Sequence, residues 1–433
     1  MAENTSKELR GKVIYSVFVR NYSHEGTFKA VESDLDRIKS LGTEMIWFLP
    51  FYPSGKISRK GTLGSPYAIQ NYREVDPSAG SLEDFKSLVN AAHQKGMKCL
   101  IDIVYNHTSP DSWLVVHHPE FFYRKPDGKM GNHIGEWTDV VDLDYSNLNL
   151  WDYQIETLKG WAEIVDGFRC DTASLVPLAF WKRARSEVAK IKPDFIWLAE
   201  SVEPGFIREN RSRGLTCLSD SEIFEAFDIS YDYDVFDYFT GYFSGTNSLD
   251  TYIEALNRQE FIYPENYVKL HFLENHDRQR AKHLIPDEKE LINWTAFIYF
   301  LKGTVLIYAG QEVEADHLPS LFDRDVVNWS TGYNLSAVLA HFAEIKKNPV
   351  LIFGTIDLKT ISGCGMVVGT RTWQGKKLTG IFSMKKDNAE QKIRIDVPDG
   401  IYKNAFNGKE ISVSEGQVSA SEAPLLIETT EAI

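Results

Sequence analysis

At 433 residues the chain exceeds one ordinary domain, yet a single large barrel can take most of it. Lys plus Arg at 47 against Asp plus Glu at 61 gives a net charge of -14, which argues against nucleic acid or an anionic membrane as the main partner and leaves a neutral ligand open. No run of about 18 apolar residues marks a membrane span, and the first residues lack the basic and apolar regions of a signal peptide, so a cytoplasmic location is expected.

Taken in order, strand and helix patterns alternate through residue 347 or so, the mark of a parallel barrel. Strands are expected near 13–19, 44–49, 98–104, 165–171, 195–200, 223–229, 268–273 and 304–309. Helical periodicity is clearest over 28–40, with apolar Val31, Leu35 and Ile38, and over 82–94; Gly42 and Gly96 stop the two helices. A polar stretch at 107–147, rich in Asp, His, Gly and Pro, interrupts the alternation after the third strand. Beyond 348 short β runs replace the helices, at 366–372, 378–383, 392–397 and 425–428, with turn signals at Pro398-Asp399-Gly400 and Asn407-Gly408. The fold class expected is therefore α/β: a (β/α)8 TIM barrel over 1–347, a short inserted domain at about 107–147 after strand 3, and a C-terminal antiparallel β-sandwich over 348–433. Cys99, Cys170, Cys217 and Cys364 show no CxxC spacing, and reduced, inert thiols are expected.

The polar residues cluster where apolar strands end. Asp102 leads to Asn106-His107, Arg169 lies two residues before Asp171, Glu200 follows Trp197-Leu198-Ala199, and residues 268–273 run into Glu274-Asn275-His276-Asp277. The C-terminal ends of barrel strands are where groups from several strands converge on one site. Side chains alternate along a strand, so Arg169 and Asp171 share a face, and the guanidinium favours an ionised carboxylate. Taken alone, such a pair is more often a structural ion pair. Glu200, set after an apolar run, is expected to hold a proton more readily than an exposed glutamate.

At this point the chain resembles the α-amylase superfamily of retaining glycoside hydrolases and transglycosidases. DIVYNH at 102–107, GFRCDTA at 167–173, Glu200 in LAES and FLENHD at 272–277 are similar to its four main motifs, in order. Ser65-Pro66-Tyr67 before NYREVDP and the GTVLIYAGQE run at 303–312 agree. The resemblance implies Asp171 as nucleophile, Glu200 as acid then base, and Asp277 as the third carboxylate, which grips sugar hydroxyls. It implies substrate binding by Tyr67, His107, Arg169 and His276, with the Tyr67 ring stacked on the cleaved sugar. Asp102 and Asn106 are expected to support these groups rather than react.

The function implied is α-amylase-like cleavage of α-1,4-linked glucose oligosaccharides through a covalent glycosyl-enzyme, with an oligosaccharide as the partner molecule and neither nucleic acid nor membrane. The alternatives are a glucanotransferase or α-1,6-glucosidase of the same family, or a silent sugar-binding protein. The last would be expected to lack one of Asp171, Glu200 and Asp277, and all three are present. Ser174 and Leu175 stand where many starch-degrading members carry Lys-His, and the loop at 20–26 lacks their Asp-x-Asn-x-Asp pattern. No metal ligand is assigned on that basis, calcium being the one candidate.

Overall fold

The computed structural model describes residues 3–385 and 390–430. Eight parallel strands close into a barrel in the order 1-8-7-6-5-4-3-2. They are Val13–Val17, Met45–Phe48, Lys98–Ile103, Gly167–Cys170, Ile196–Ala199, Ile229–Tyr231, Lys269–His271 and Gly303–Tyr308. Runs such as Val-Leu-Ile-Tyr at 305–308 are buried on both faces because side chains fill the barrel and helices cover its outside.

The helix Leu82–Gln94 shows how local signals set the outer layer. Ser81 and Asp84 form a reciprocal capping box, while Phe85, Leu88, Val89 and Ala92 make one buried face. Gly96 follows at φ +69, a left-handed turn that ends it.

Two expectations need correction. The sixth strand is Ile229–Tyr231, not 223–229, because Ser219 and Glu222 form a capping box that starts the helix Asp220–Ile223, which takes Ile223 and is followed by a turn before the strand begins. The helix expected over 28–40 is two, Phe28–Ser33 and Leu35–Ser40. They break at Asp34, which leaves helical geometry at φ -108, ψ 6 and takes the Arg37 guanidinium at 2.7 Å.

After the third strand, His107–Thr108 pairs antiparallel with Val141–Asp142, pinning both ends of the inserted segment beside the barrel mouth. The C-terminal part has two antiparallel four-stranded sheets. Met366, Ile381 and Ile427 from one pack with Ile393, Val413 and Val418 from the other, the closed core of a sandwich. Four strands had no expectation attached: Thr355–Ile361, Gly400–Lys403, Glu410–Ser414 and Gln417–Ala420. Among the described residues no helix is long and apolar enough to cross a membrane. All four cysteines are free, and burial pushes the Cys99 and Cys170 thiols up, away from reactivity.

Candidate active site

Register places the two central carboxyl groups side by side. Cys170 pairs with Ala199 across the fourth and fifth strands, so Asp171 and Glu200, each one residue on, end neighbouring strands. Their backbones continue the ladder: Asp171 N–H donates to Ile103 O at 2.8 Å and Glu200 N–H to Cys170 O at 3.0 Å. Close approach of these strands needs Gly167, where a Cβ would stand 2.8 Å from Ile196 O and from Leu100 Cγ.

Arg169 points into the barrel and is fully buried. Its Nη1 lies 2.9 Å from both Asp102 Oδ1 and Asp171 Oδ1, and its Nη2 lies 3.0 Å from Glu200 Oε1. One guanidinium thus faces three carboxyl groups, more negative charge than it can neutralise, which favours a proton on one of them. Burial pushes Glu200 well above the usual carboxylate range; Arg169 pulls against this, while Asp171 and Asp277 add to it. Burial likewise raises Asp102, against the pull of Arg169. The guanidinium itself is held charged: burial opposes it, but its carboxylate partners win.

Thr172, directly after Asp171, takes a left-handed φ of +38, costly for a β-branched residue. That geometry aims its N–H at Glu200 Oε2, 2.7 Å away, and its hydroxyl at Asp171 Oδ2, 3.2 Å away.

On the opposite wall His276 is buried, with Nε2 2.6 Å from the Tyr67 hydroxyl and 3.0 Å from Asp277 Oδ2. Asp277 keeps 37 % of its side-chain surface open to the cleft. Burial works against its charge, but His276, and beyond it Arg169 and Arg278, hold it below the usual carboxylate range. The Tyr67 and Trp47 side chains both reach Asp102 Oδ2, at 3.3 and 3.2 Å, completing the floor.

These groups open into a cleft of about 400 Å³ lined by Tyr67, His107, Asp171, Glu200 and Asp277. Four sequence-selected residues do not line it. Arg169, Asp102 and His276 lie beneath it, and Asn106 stands to one side, its amide 3.2 Å from His107 Nδ1, where it orients that ring. Sequence reasoning missed Trp137, edge-on to His107 at 5.3 Å, together with Lys60, Glu203, Tyr233 and Arg278. Glu203 and Arg278 sit three residues and one residue past motif carboxylates, a signal that could have flagged them. Lys60 carries no such signal. The arrangement offers one carboxyl disposed to be protonated beside one paired with a guanidinium, at the foot of an aromatic-walled cleft.

The family model for the α-amylase catalytic domain matches residues 9–120 and 134–350, three quarters of the chain. The chain belongs to the α-amylase family. The model for the bacterial α-amylase C-terminal domain matches residues 357–427. A solved α-amylase from Lactobacillus plantarum is 45% identical with a TM-score of 0.95, covering 98% of this chain and 100% of that one. The noncanonic maltogenic α-amylase AmyB from Thermotoga neapolitana is 32% identical with a TM-score of 0.87, over 98% and 100%. Among curated relatives, α-amylase MalA of Haloarcula japonica is 28% identical over 69% of this chain but only 44% of its own length.

Calcium is the one metal the family resemblance raises, and the donor set here fits it poorly. Asn106, Asp142 and Leu175 face one cavity beside the cleft. The backbone and ring nitrogens of His133 both lie 2.7 Å from Asp142 Oδ2, occupying that oxygen. Asp142 Oδ1 is buried without a hydrogen-bond partner and Leu175 can offer only its main-chain carbonyl, a set well short of the six to eight oxygens that calcium wants. Among the described residues no group of three or more His, Cys, Asp or Glu could hold a metal ion.

Proposed function

We propose that the protein is a retaining α-glucan hydrolase, cleaving α-1,4-linked glucose oligosaccharides through a covalent glycosyl-enzyme. The observation that carries this reading is the single guanidinium of Arg169 contacting both Asp171 and Glu200 from neighbouring strands. It keeps the two carboxyl groups close, as retaining chemistry requires at about 5 to 5.5 Å, and on different terms: both lie within ion-pair distance, but the guanidinium hydrogen-bonds Asp171 while burial pushes Glu200 towards protonation. Asp171 attacks the anomeric carbon as Glu200 gives its proton to the leaving oxygen. Glu200, now charged, takes a proton from water, and the resulting hydroxide-like oxygen displaces Asp171 from the sugar. Asp277, ionised and open to the cleft, accepts from sugar hydroxyls, and the Tyr67 ring offers its face to the sugar. Arg169 and His276 act from beneath, by fixing Asp171, Glu200 and Asp277 rather than by touching sugar.

We further propose that no metal takes part. A panel of maltooligosaccharides, pullulan, isomaltose, sucrose and trehalose, each offered before and after chelation and desalting, tests both statements. Maltooligosaccharides should be shortened in both arms. Turnover confined to isomaltose, sucrose or trehalose would contradict the linkage. Loss of activity on chelation, with a fall in Tm of more than about 10 °C, would show a structural metal.

A further inference from the structure

The cleft has two unlike ends. A general acid protonates the leaving-group oxygen, so the leaving part of a substrate lies on the Glu200 side. Glu203 and Phe206, which follow Glu200 in the chain, line that end with Tyr233 and Arg278. Lys60, Asp139 and Phe322 come from the loops after the second, third and eighth strands, across the barrel mouth from Glu203, Tyr233 and Arg278 after the fifth, sixth and seventh, which leaves them on the side of the sugars that stay on the enzyme.

Those three residues come from three separate loops, and the loops are stitched together. Lys60, after the second strand, lies 3.0 Å from Asp139 Oδ1 and donates to Glu136 O at 3.3 Å, both in the inserted segment. Its ammonium lies 6.0 Å from the Phe322 ring centre, in the loop after the eighth strand. Next to it, Thr62 N–H and Oγ1 donate to Asp323 Oδ1 at 2.8 and 2.7 Å, and Leu63 N–H donates to Phe322 O at 2.9 Å. Arg20 closes the seam from below, reaching Gly64 O at 2.8 Å and Leu321 O at 3.3 Å. The packing is tight: a Cβ on Gly61, already at φ +63, would stand 2.6 Å from the Phe322 side chain. The loops after the second and eighth strands are thus joined by a main-chain bond and by side-chain bonds around it, and the Lys60 side chain ties them to the inserted segment.

We propose that these joined loops form a wall that ends the cleft on the non-reducing side, so that the enzyme takes α-glucan chains by their non-reducing ends and releases short products. Lys60 is the residue that sets where the chain stops. An ammonium has three donors; two are engaged by Asp139 and Glu136 O, and the third is free for a hydroxyl of the terminal glucose. The inference rests on the α-glucan reading above and goes beyond it by naming the chain end recognised.

The test compares 4-nitrophenyl maltoheptaoside with the same compound carrying a 4,6-O-ethylidene group on its non-reducing glucose, products being followed by chromatography. The free chain should be shortened, and the blocked chain cut about tenfold more slowly or worse, the order of discrimination a filled pocket gives against one extra small group. A smaller difference, with internal bonds of the blocked chain cut, would overturn the wall and leave α-glucan cleavage standing. Cleavage of neither compound would overturn both. In Lys60→Met, which keeps the stem against Phe322 but removes the ammonium, and in Lys60→Ala, the blocked chain should gain relative to the free one and the shortest product should lengthen. An unchanged ratio in a folded variant would remove Lys60 from this role.

Discussion

Asp171→Asn should lower kcat on maltotetraose by about 10⁴-fold or more while leaving the protein folded. An amide in place of the carboxylate cannot form the glycosyl ester, so the covalent route closes. The fold survives because Arg169 keeps Asp102 at 2.9 Å and Glu200 at 3.0 Å. With three carboxyl groups facing one guanidinium, neutralising one relieves repulsion, so Tm should hold or rise. Near-normal turnover in a folded Asp171→Asn would reassign the nucleophile.

Glu200→Gln should cost about 10²- to 10⁴-fold in kcat, the range of a lost general acid, and erase the alkaline limb of the pH profile. In the native enzyme burial raises the Glu200 pKa, with Arg169 opposing, so kcat/KM should fall as pH rises through that raised value and the proton is lost. Stability follows the same sign. Below the ordinary glutamate range the folded and unfolded chains are both protonated and the contribution is fully present. Above it the unfolded chain releases the proton first, and the contribution is lost as pH climbs through the raised folded value. The uncharged amide of Glu200→Gln carries no such dependence, so the variant's unfolding free energy should decline less over that interval. An alkaline limb that persists unchanged in this variant would take the acid role away from Glu200.

Much of the barrel was legible because period-2 and period-3.6 patterns alternate with clear stops; the helix Leu82–Gln94 has the bounds its periodicity gives. The sixth strand was misplaced because a short apolar run reads equally as helix or strand, and the deciding signal was the Ser219 and Glu222 box. His107, Asp171, Glu200 and Asp277 were legible because strand ends converge, Tyr67 only through the family resemblance, and the structure does bring all five to one cleft. The third contact of Arg169, to Glu200, was not, since it depends on register between two strands and no single motif encodes it. The loop wall at Lys60 was hidden for the same reason. Asp139 lies 79 residues beyond Lys60, and Asp323 lies 261 beyond its partner Thr62, both in polar loops without periodicity. Of the unforeseen C-terminal strands, Gly400–Lys403 is largely exposed and gave little apolar pattern, while Glu410–Ser414 and Gln417–Ala420 do alternate but over runs of only five and four residues, too short to stand out.

The claim on which the mechanism stands is that cleavage passes through a sugar bonded to Asp171, and the anomeric form of the first product reports it most directly. Proton NMR of a maltooligosaccharide digest, recorded before mutarotation, should show the new reducing end first in the α form, with β appearing only as the sugar equilibrates. Immediate release of β product would mean a single inverting displacement, and the paired roles of Asp171 and Glu200 would fall with it.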